Sequence, residues 1–183
     1  MNTKLQYNTL VILIGIISNL TLVSIVVILN IPYLFMDSIG TILTAVVLGP
    51  IYGAIVGMLT NLITSLTIDY INLHFTIVNV FIGITAGIIA KKYYLKSFFN
   101  AIIIGIIIGI VSGLISVPIS IALGYEVPNE MLHKYIESLI NSGKSIALST
   151  SIVVMHDAIF DKILSCLIVC FIVNKIYFFK IYK

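Results

Sequence analysis

The fold of this chain is decided by one stretch, Phe35–Asn61, which reads FMDSIGTILTAVVLGPIYGAIVGMLTN. It places Asp37 at the mouth of a helix, interrupts the helix at Gly49 and Pro50, and continues with a glycine at every fourth position. In water these residues disfavour a helix, by about 1 kcal/mol for glycine and about 3 kcal/mol for proline. In a bilayer helices remain the favoured state, and small residues four apart allow close packing. The stretch therefore predicts short membrane helices in close contact.

Composition supports a membrane protein. Of the 183 residues, 60% are hydrophobic and only 9% are charged, and the mean hydropathy is +1.19. Such values are typical of chains with several membrane spans. We expect one membrane domain over residues 1–183, with no enzymatic activity. The positive charge comes only from lysine and is small, so binding to nucleic acid is not expected.

Six apolar runs are long enough to be membrane spans or parts of them. The first run has about 21 residues, which suffices to cross a hydrocarbon core of about 30 Å. The predicted fold is therefore all-α, a compact bundle of six short transmembrane helices. The predicted spans are about 9–29, 37–49, 51–66, 74–90, 98–122 and 145–173, with an extracellular loop at about 123–144.

Two interpretations of the Gly49-Pro50 segment are possible, one kinked span or two short spans joined by a tight turn. With two spans, Lys4, the lysines at 91, 92 and 96, and those near the C-terminus fall on the same side of the membrane. The positive-inside rule makes that side cytoplasmic. With one span almost no basic residue remains inside. We therefore predict a turn, with both termini in the cytoplasm.

Acidic residues within the predicted spans are the main candidates for function, because charge inside a bilayer is costly. Asp37 either caps the second helix or contacts a ligand, and both roles are compatible. The last span contains His156-Asp157 followed by Asp161-Lys162. Its two aspartates share one helix face and lie about 18 to 24 Å along the helix. Asp161 either forms a structural ion pair with Lys162 or faces the ligand, whereas Asp157 is the better ligand candidate.

Polar and aromatic residues near the outer ends of the spans predict a small binding pocket. Asn61 lies in the outer end of the third span, Asp69 follows that span, and Tyr125 lies in the predicted extracellular loop. Three carboxylates facing one cavity favour a cationic or hydroxyl-rich heterocycle as the substrate, and they are also possible proton carriers. We expect no cofactor and no metal, because no set of His and Cys ligands is evident.

The pattern resembles the S components of energy-coupling factor (ECF) transporters. The shared features are six short spans, an acidic start to the second span, the Gly49-Pro50 turn and the Asp161-Lys162 pair. The resemblance implies a membrane subunit in the bacterial plasma membrane that captures a vitamin or related metabolite from outside. It also implies two kinds of partner, a transmembrane coupling (T) subunit and two ATPases.

The resemblance also suggests which residues contact the substrate and the partner. ECF S components bind substrates with the outer halves of their helices and nearby loops. Many members use Ala-x-x-x-Ala in the first span to contact the coupling subunit, and here Gly15 and Ser18 are the nearest equivalents. The expected substrate-binding residues are Asp37, Ser38, Thr41, Asn61, Asp69, Tyr125, His156, Asp157 and Asp161.

Two other functions are compatible with the sequence. Similar glycine-rich bundles serve as membrane sensor or signalling modules, although those are expected to carry a kinase domain. A solitary proton-coupled transporter is the other alternative, with Asp157 and Asp161 as the proton carriers.

Overall fold

Only helices and connecting segments occur in the part of the chain that the structure describes. The computed structural model covers residues 3–29, 31, 34–92 and 97–181, and the side chains of all of these except 91–92 and 176–181. Lys96 and Lys183, which contribute to the topology prediction, lie outside the described residues. The helices are α1 (Thr3–Ile28), α2 (Ile39–Leu48), α3 (Pro50–Thr67), α4 (Thr76–Lys92), α5 (Phe98–Ala122), α6 (Glu130–Asn141) and α7 (Ile146–Ile181), with a 3-10 helix at Tyr70–Leu73.

Three helices, α1, α3 and α5, are long and apolar enough to span a membrane. The predictions of an all-helical membrane protein agree with this finding. Helices α2 and α4 are apolar but shorter, and the 10 residues of α2 extend only about 15 Å. Helix α7 has 36 residues, about 54 Å of helix, and so continues well beyond the end predicted for the last span.

The chain turns at Gly49, between two separate helices. Gly49 has φ 107°, a conformation that glycine adopts without steric cost. Pro50 occupies the first turn of α3, where its missing N–H leaves no unpaired donor. Helices α2 and α3 then run back alongside each other, so closely that a Cβ at Gly53 would overlap Ala45. The Gly-Pro pair thus forms a turn rather than a kink in one helix.

A buried asparagine connects the first three helices. Asn19 of α1 donates from Nδ2 to the hydroxyls of Thr41 and Thr60, each at 3.0 Å. Its Oδ1 accepts the backbone N–H of Gly40 at 2.6 Å. At the same level Gly40 lies directly against Gly15, with no room for a Cβ. One polar side chain therefore fixes the positions of α1, α2 and α3 relative to one another.

Helices α5 and α7 form the other closely packed pair. A Cβ at Gly105 would overlap the α7 backbone at Ile163, and one at Gly109 would overlap it at Ile159. Buried aliphatic side chains and both cysteines, Cys166 and Cys170, complete the core around these helices. This packing sets the acidic residues of α7 against the interior of the bundle.

The segment predicted as a polar loop at 123–144 contains an amphipathic helix, α6. Asn129 caps its start, since its side chain accepts from the backbone of Met131 and Leu132 at 3.0 and 3.2 Å. Leu132 and Ile136, four residues apart, are buried together with Val153 and Val154 of α7. The short apolar face, surrounded by charged residues, explains why hydropathy alone gave a loop.

Candidate functional site

A cavity lies among the ends of α3, α4 and α5, the middle of α7 and the segment before α2. It contains about 610 Å³ of space not occupied by atoms, its open mouth included. Carboxylates, amides and hydroxyls line part of its wall, and aliphatic and aromatic side chains line the rest. Its lining residues are Phe35, Asp37, Asn61, Asn72, Phe75, Val78, Asn79, Ile82, Ser112, Ser116, Val127, Pro128, Leu132, Val154, Asp157, Ala158, Asp161 and Lys162.

Lys162 neutralises part of the acidic wall. Its side chain is buried, only 6% exposed, and it forms a hydrogen-bonded ion pair with its neighbour Asp161. The ammonium also lies 3.4 Å from Oδ1 of Asp37. A buried lysine requires such partners, because an unpaired charge in this environment is strongly unfavourable. Lys162 therefore links α7 to the start of α2.

Asp161 also anchors the backbone before α2. Its Oδ1 accepts the N–H groups of Phe35 and Met36 at 3.0 and 2.9 Å. Non-helical backbone inside an apolar region needs such acceptors, because no water is available to it. Asp161 is 1% exposed, and both of its oxygens are bonded within the chain. The geometry favours the structural role for Asp161, although the residue also lines the cavity.

A chain of amides joins α3, α4 and the start of α2. Asn79 Nδ2 lies 2.8 Å from Oδ1 of Asn61, and it lies 3.3 and 3.4 Å from the backbone oxygen and Oδ2 of Asp37. Asn61 in turn donates to the carbonyl of Asn72 at 3.2 Å. Asp37 and Asn61, expected to be neighbours because of the turn at Gly49, thus meet through Asn79.

Asp157 differs from the other acidic residues of the cavity. It is 5% exposed, and its Oδ1 is buried without a hydrogen-bond partner among the described residues. Buried polar atoms are normally hydrogen-bonded, so an unsatisfied carboxylate oxygen requires an explanation. Since Asp157 lines the cavity, its free oxygen is available to a ligand or a proton.

The loop before α6 and the first turn of α6 cover one side of the cavity. Asn129 Nδ2 lies 3.5 Å from the carbonyl of Leu34, which brings the start of α6 against the segment before α2. Val127, Pro128 and Leu132 form the apolar underside of this cover. A ligand in the cavity would therefore be enclosed on its outer side by residues of α6 and its preceding loop.

A second, larger groove, of about 1160 Å³ with its open side included, adjoins the cavity. It shares Phe35, Asn72, Val127 and Pro128 with the cavity, and its wall adds three acidic residues. These are Asp69, Glu126 and Glu130. We call this feature the acidic groove.

Side chains of α6 form polar pairs at the edge of the acidic groove. The side chain of Lys134, outside the groove lining, hydrogen-bonds Glu130 at 2.7 Å, and this bond, together with the lysine charge, lowers the pKa of that carboxyl. His133 lies 3.9 Å from Glu126, in the loop before α6, and 3.6 Å from Glu137. Among the described lining residues the carboxylates outnumber the basic groups, so the groove is acidic overall.

The structure brings together four of the predicted substrate-binding residues and places the others elsewhere. Asp37, Asn61, Asp157 and Asp161 line the cavity. The other five residues lie outside the cavity lining. Ser38 and Thr41 are fully buried in the helix packing, and Asp69 caps the 3-10 helix by accepting from the backbone of Ile71. Tyr125 stacks on His133, and His156 is exposed on α7.

Gly15 and Ser18, the predicted contact with the coupling subunit, also differ in their exposure. Gly15 is covered by α2 through its contact with Gly40, whereas Ser18 is partly exposed. The outward face of α1 instead presents leucine and isoleucine, with Leu10, Leu13 and Ile17 at least half exposed.

Sequence reasoning missed Asn79, Ser112 and Ser116 as cavity residues. Asn79 belongs to a series of small residues with Gly83 and Gly87, and helix packing alone accounted for that series. Both serines lie on α5, Ser112 directly before Gly113 and Ser116 one turn further along the helix. The available signal for these cavity residues was that polar side chains recur along the helix at the same spacing as the packing glycines.

No protein family, curated protein or solved structure significantly matches this chain. Among the described residues no group of three or more His, Cys, Asp or Glu side chains is arranged to hold a metal ion.

Proposed function

We propose that this chain is the substrate-binding subunit, the S component, of an ECF-type importer, and that it captures a small water-soluble metabolite. The observation that carries the proposal is a cavity among the helix ends with a buried, unsatisfied Asp157 oxygen in its wall. Ligand sites are typically concave and largely apolar, with a few polar groups that orient the ligand. This cavity has that composition.

The proposed topology has six membrane crossings, made by α1–α5 and α7, with α6 lying outside. Lys4 is at the start of α1 and Lys175 is near the end of α7. Lys175 lies about 20 Å of helix beyond Lys162, the last residue of α7 in the cavity lining, whereas α1 contributes no lining residue. If the lysines mark the cytoplasmic side, the cavity opens to the outside of a bacterial plasma membrane.

The proposed partners are a transmembrane coupling (T) subunit and two ATPase subunits. The exposed apolar face of α1, which includes Leu10, Leu13 and Ile17, is the proposed contact with the coupling subunit, and Ser18 lies at its edge. ATP hydrolysis is assigned to the ATPases. Co-expression with candidate coupling modules and purification through a tag on this chain tests the assembly, and uptake that needs no ATPase contradicts it.

We expect Ser116→Leu to reduce substrate binding at least tenfold. Ser116 lines the cavity from α5 and is 8% exposed, so a leucine side chain there takes up room that the ligand needs. The measurement is mass spectrometry of the metabolite that co-purifies with the protein, followed by titration calorimetry of that metabolite with both proteins.

Thr21→Leu is the matched control, because it adds a leucine to the exposed surface of α1. It should leave binding unchanged. If the folded Ser116→Leu variant binds the co-purified metabolite as tightly as the unmodified protein does, the cavity is not the binding site.

A solitary proton-coupled transporter is a second candidate, favoured by the same Asp157. A buried carboxyl without a partner binds a proton or a cation in preference to remaining alone. In this case a proton gradient drives uptake by the chain alone in vesicles, and an uncoupler abolishes it.

A further inference from the structure

We infer that the ligand of the cavity is a small organic cation with N–H donors on a flat apolar body, bound with its charged end at Asp157. This inference rests on the proposed function, since it names the substrate class of the same site. It selects the cation over the hydroxyl-rich compound that the sequence left equally possible. Three observations lead to it.

The first observation is the balance of charges in the cavity wall. Among its lining residues are three carboxylates, Asp37, Asp157 and Asp161, and one ammonium, Lys162. With all four ionised, three negative charges and one positive charge leave a net charge of −2. A neutral ligand leaves this imbalance, an anion increases it, and a cation reduces it.

The second observation is which polar atoms remain available. Lys162 is bonded to Asp161 and lies beside Asp37, and both amide atoms of Asn61 are bonded. Asn79 directs its Nδ2 to Asn61 and Asp37, and Ser112 donates to the carbonyl of Gly109 at 3.0 Å.

Two atoms of the cavity wall are buried without a partner among the described residues, and both are acceptors: Oδ1 of Asp157 and Oδ1 of Asn79. A carboxylate or phosphate group on the ligand would need charged donors that this wall does not offer. A ligand N–H satisfies Asp157, and a positive charge strengthens that bond. Much of the remaining wall is apolar, including Phe35, Phe75 and Ile82, so a polyhydroxylated compound would leave most of its hydroxyls unpaired.

The third observation is the acidic groove at the mouth. Asp69, Glu126 and Glu130 line it, and no lysine is among its described lining residues. Clefts lined by one sign of charge raise the local concentration of oppositely charged ligands and their association rates. Negative charges of the acidic groove therefore attract a cation at the entrance, and negative charges of the cavity bind it inside.

The test uses three probes that share one flat ring and differ in charge: benzamidinium, neutral benzamide and benzoate. Binding of each to the purified full-length protein is measured by calorimetry and by competition with the co-purified metabolite. We expect benzamidinium to bind at least tenfold more tightly than benzamide, and benzoate not to bind. Asp157→Asn should abolish the preference for the cation.

Glu137→Gln is the matched control for Asp157→Asn. It removes the same charge from a half-exposed side chain of α6 that lines neither the cavity nor the acidic groove. The preference for the cation at equilibrium should persist in this variant. Loss of the preference in both variants, or its persistence in Asp157→Asn, overturns the assignment to Asp157.

The outcomes separate the substrate class from the proposed function. If the co-purified metabolite is neutral or anionic and Ser116→Leu still abolishes its binding, the cation inference is wrong and the binding function stands. If no metabolite co-purifies and none of the probes binds, both are overturned. Benzamide or benzoate binding as tightly as benzamidinium overturns the cation inference alone.

Discussion

Lys162→Met is expected to destabilise the folded protein by about 3–5 kcal/mol, the range found when one partner of a buried ion pair is removed. Methionine fills a similar volume, so packing is nearly conserved and the loss is electrostatic. Asp161 then lies buried without its cation, and Asp37 loses the ammonium at 3.4 Å. The measurement is the free energy of unfolding in detergent micelles or bilayers.

Lys134→Met provides the matched control. Lys134 is also paired with a carboxylate, Glu130, but both side chains are more than half exposed. Exposed pairs add little to stability, so no measurable change is expected in this variant.

A second variant tests the cause of the Lys162→Met effect. Combining Lys162→Met with Asp161→Asn removes the stranded charge, while the amide oxygen still accepts from the backbone of Phe35 and Met36. This double variant should recover part of the lost stability. If it is less stable than Lys162→Met alone, charge stranding is not the cause.

Asn19→Leu is expected to cost about 2–3 kcal/mol of folding stability, at about 1 kcal/mol for each hydrogen bond lost. Leucine branches at the same position as asparagine but leaves three buried groups on two helices without their partner. These are the hydroxyls of Thr41 and Thr60 and the N–H of Gly40. Thermal unfolding followed by circular dichroism measures the effect.

The control for this prediction is Asn8→Leu, the same substitution on the same helix. Asn8 donates one hydrogen bond to Tyr52, at 3.2 Å, in a part-buried position. A loss well below that of Asn19→Leu is expected. Equal losses in the two variants would mean that Asn19 does not connect the three helices in the way described.

Apolar runs and the placement of the lysines predicted much of the helical framework. The turn at Gly49 was predicted because only two spans put the lysine clusters on one side of the membrane, and the bounds of α5, Phe98–Ala122, agree with the apolar run. Helix α6 was not predicted, because its apolar residues, with Leu132 and Ile136 buried and Leu139 and Ile140 packed against them, are interspersed with charged ones in a segment of low hydropathy. Helix α7 continues to Ile181, past the predicted end of the last span at about 173, because a helix can maintain its hydrogen bonding after it leaves an apolar region.

The acidic part of the site was predictable and its amide part was not. Charges inside apolar runs are conspicuous, so Asp37, Asp157 and Asp161 could be selected directly. The difference between Asp157 and Asp161 depends on the backbone of Phe35 and Met36, more than 100 residues away in the chain. Thr41 was selected through the resemblance to ECF S components, but its buried hydroxyl accepts a hydrogen bond from Asn19 and does not line the cavity.

The anchoring of the segment before α2 by Asp161 has a consequence for how this cavity can evolve. The bonds hold main-chain N–H groups of Phe35 and Met36, so they are indifferent to the side chains that those residues carry. Phe35 can therefore be exchanged for a larger, smaller or more polar residue while the backbone stays in place. Only proline, which lacks the N–H, is excluded. New ligand preferences are accessible through single substitutions of Phe35 that keep this backbone in place, and their cost to the fold is limited to the packing of Phe35 against the apolar cluster beneath α6.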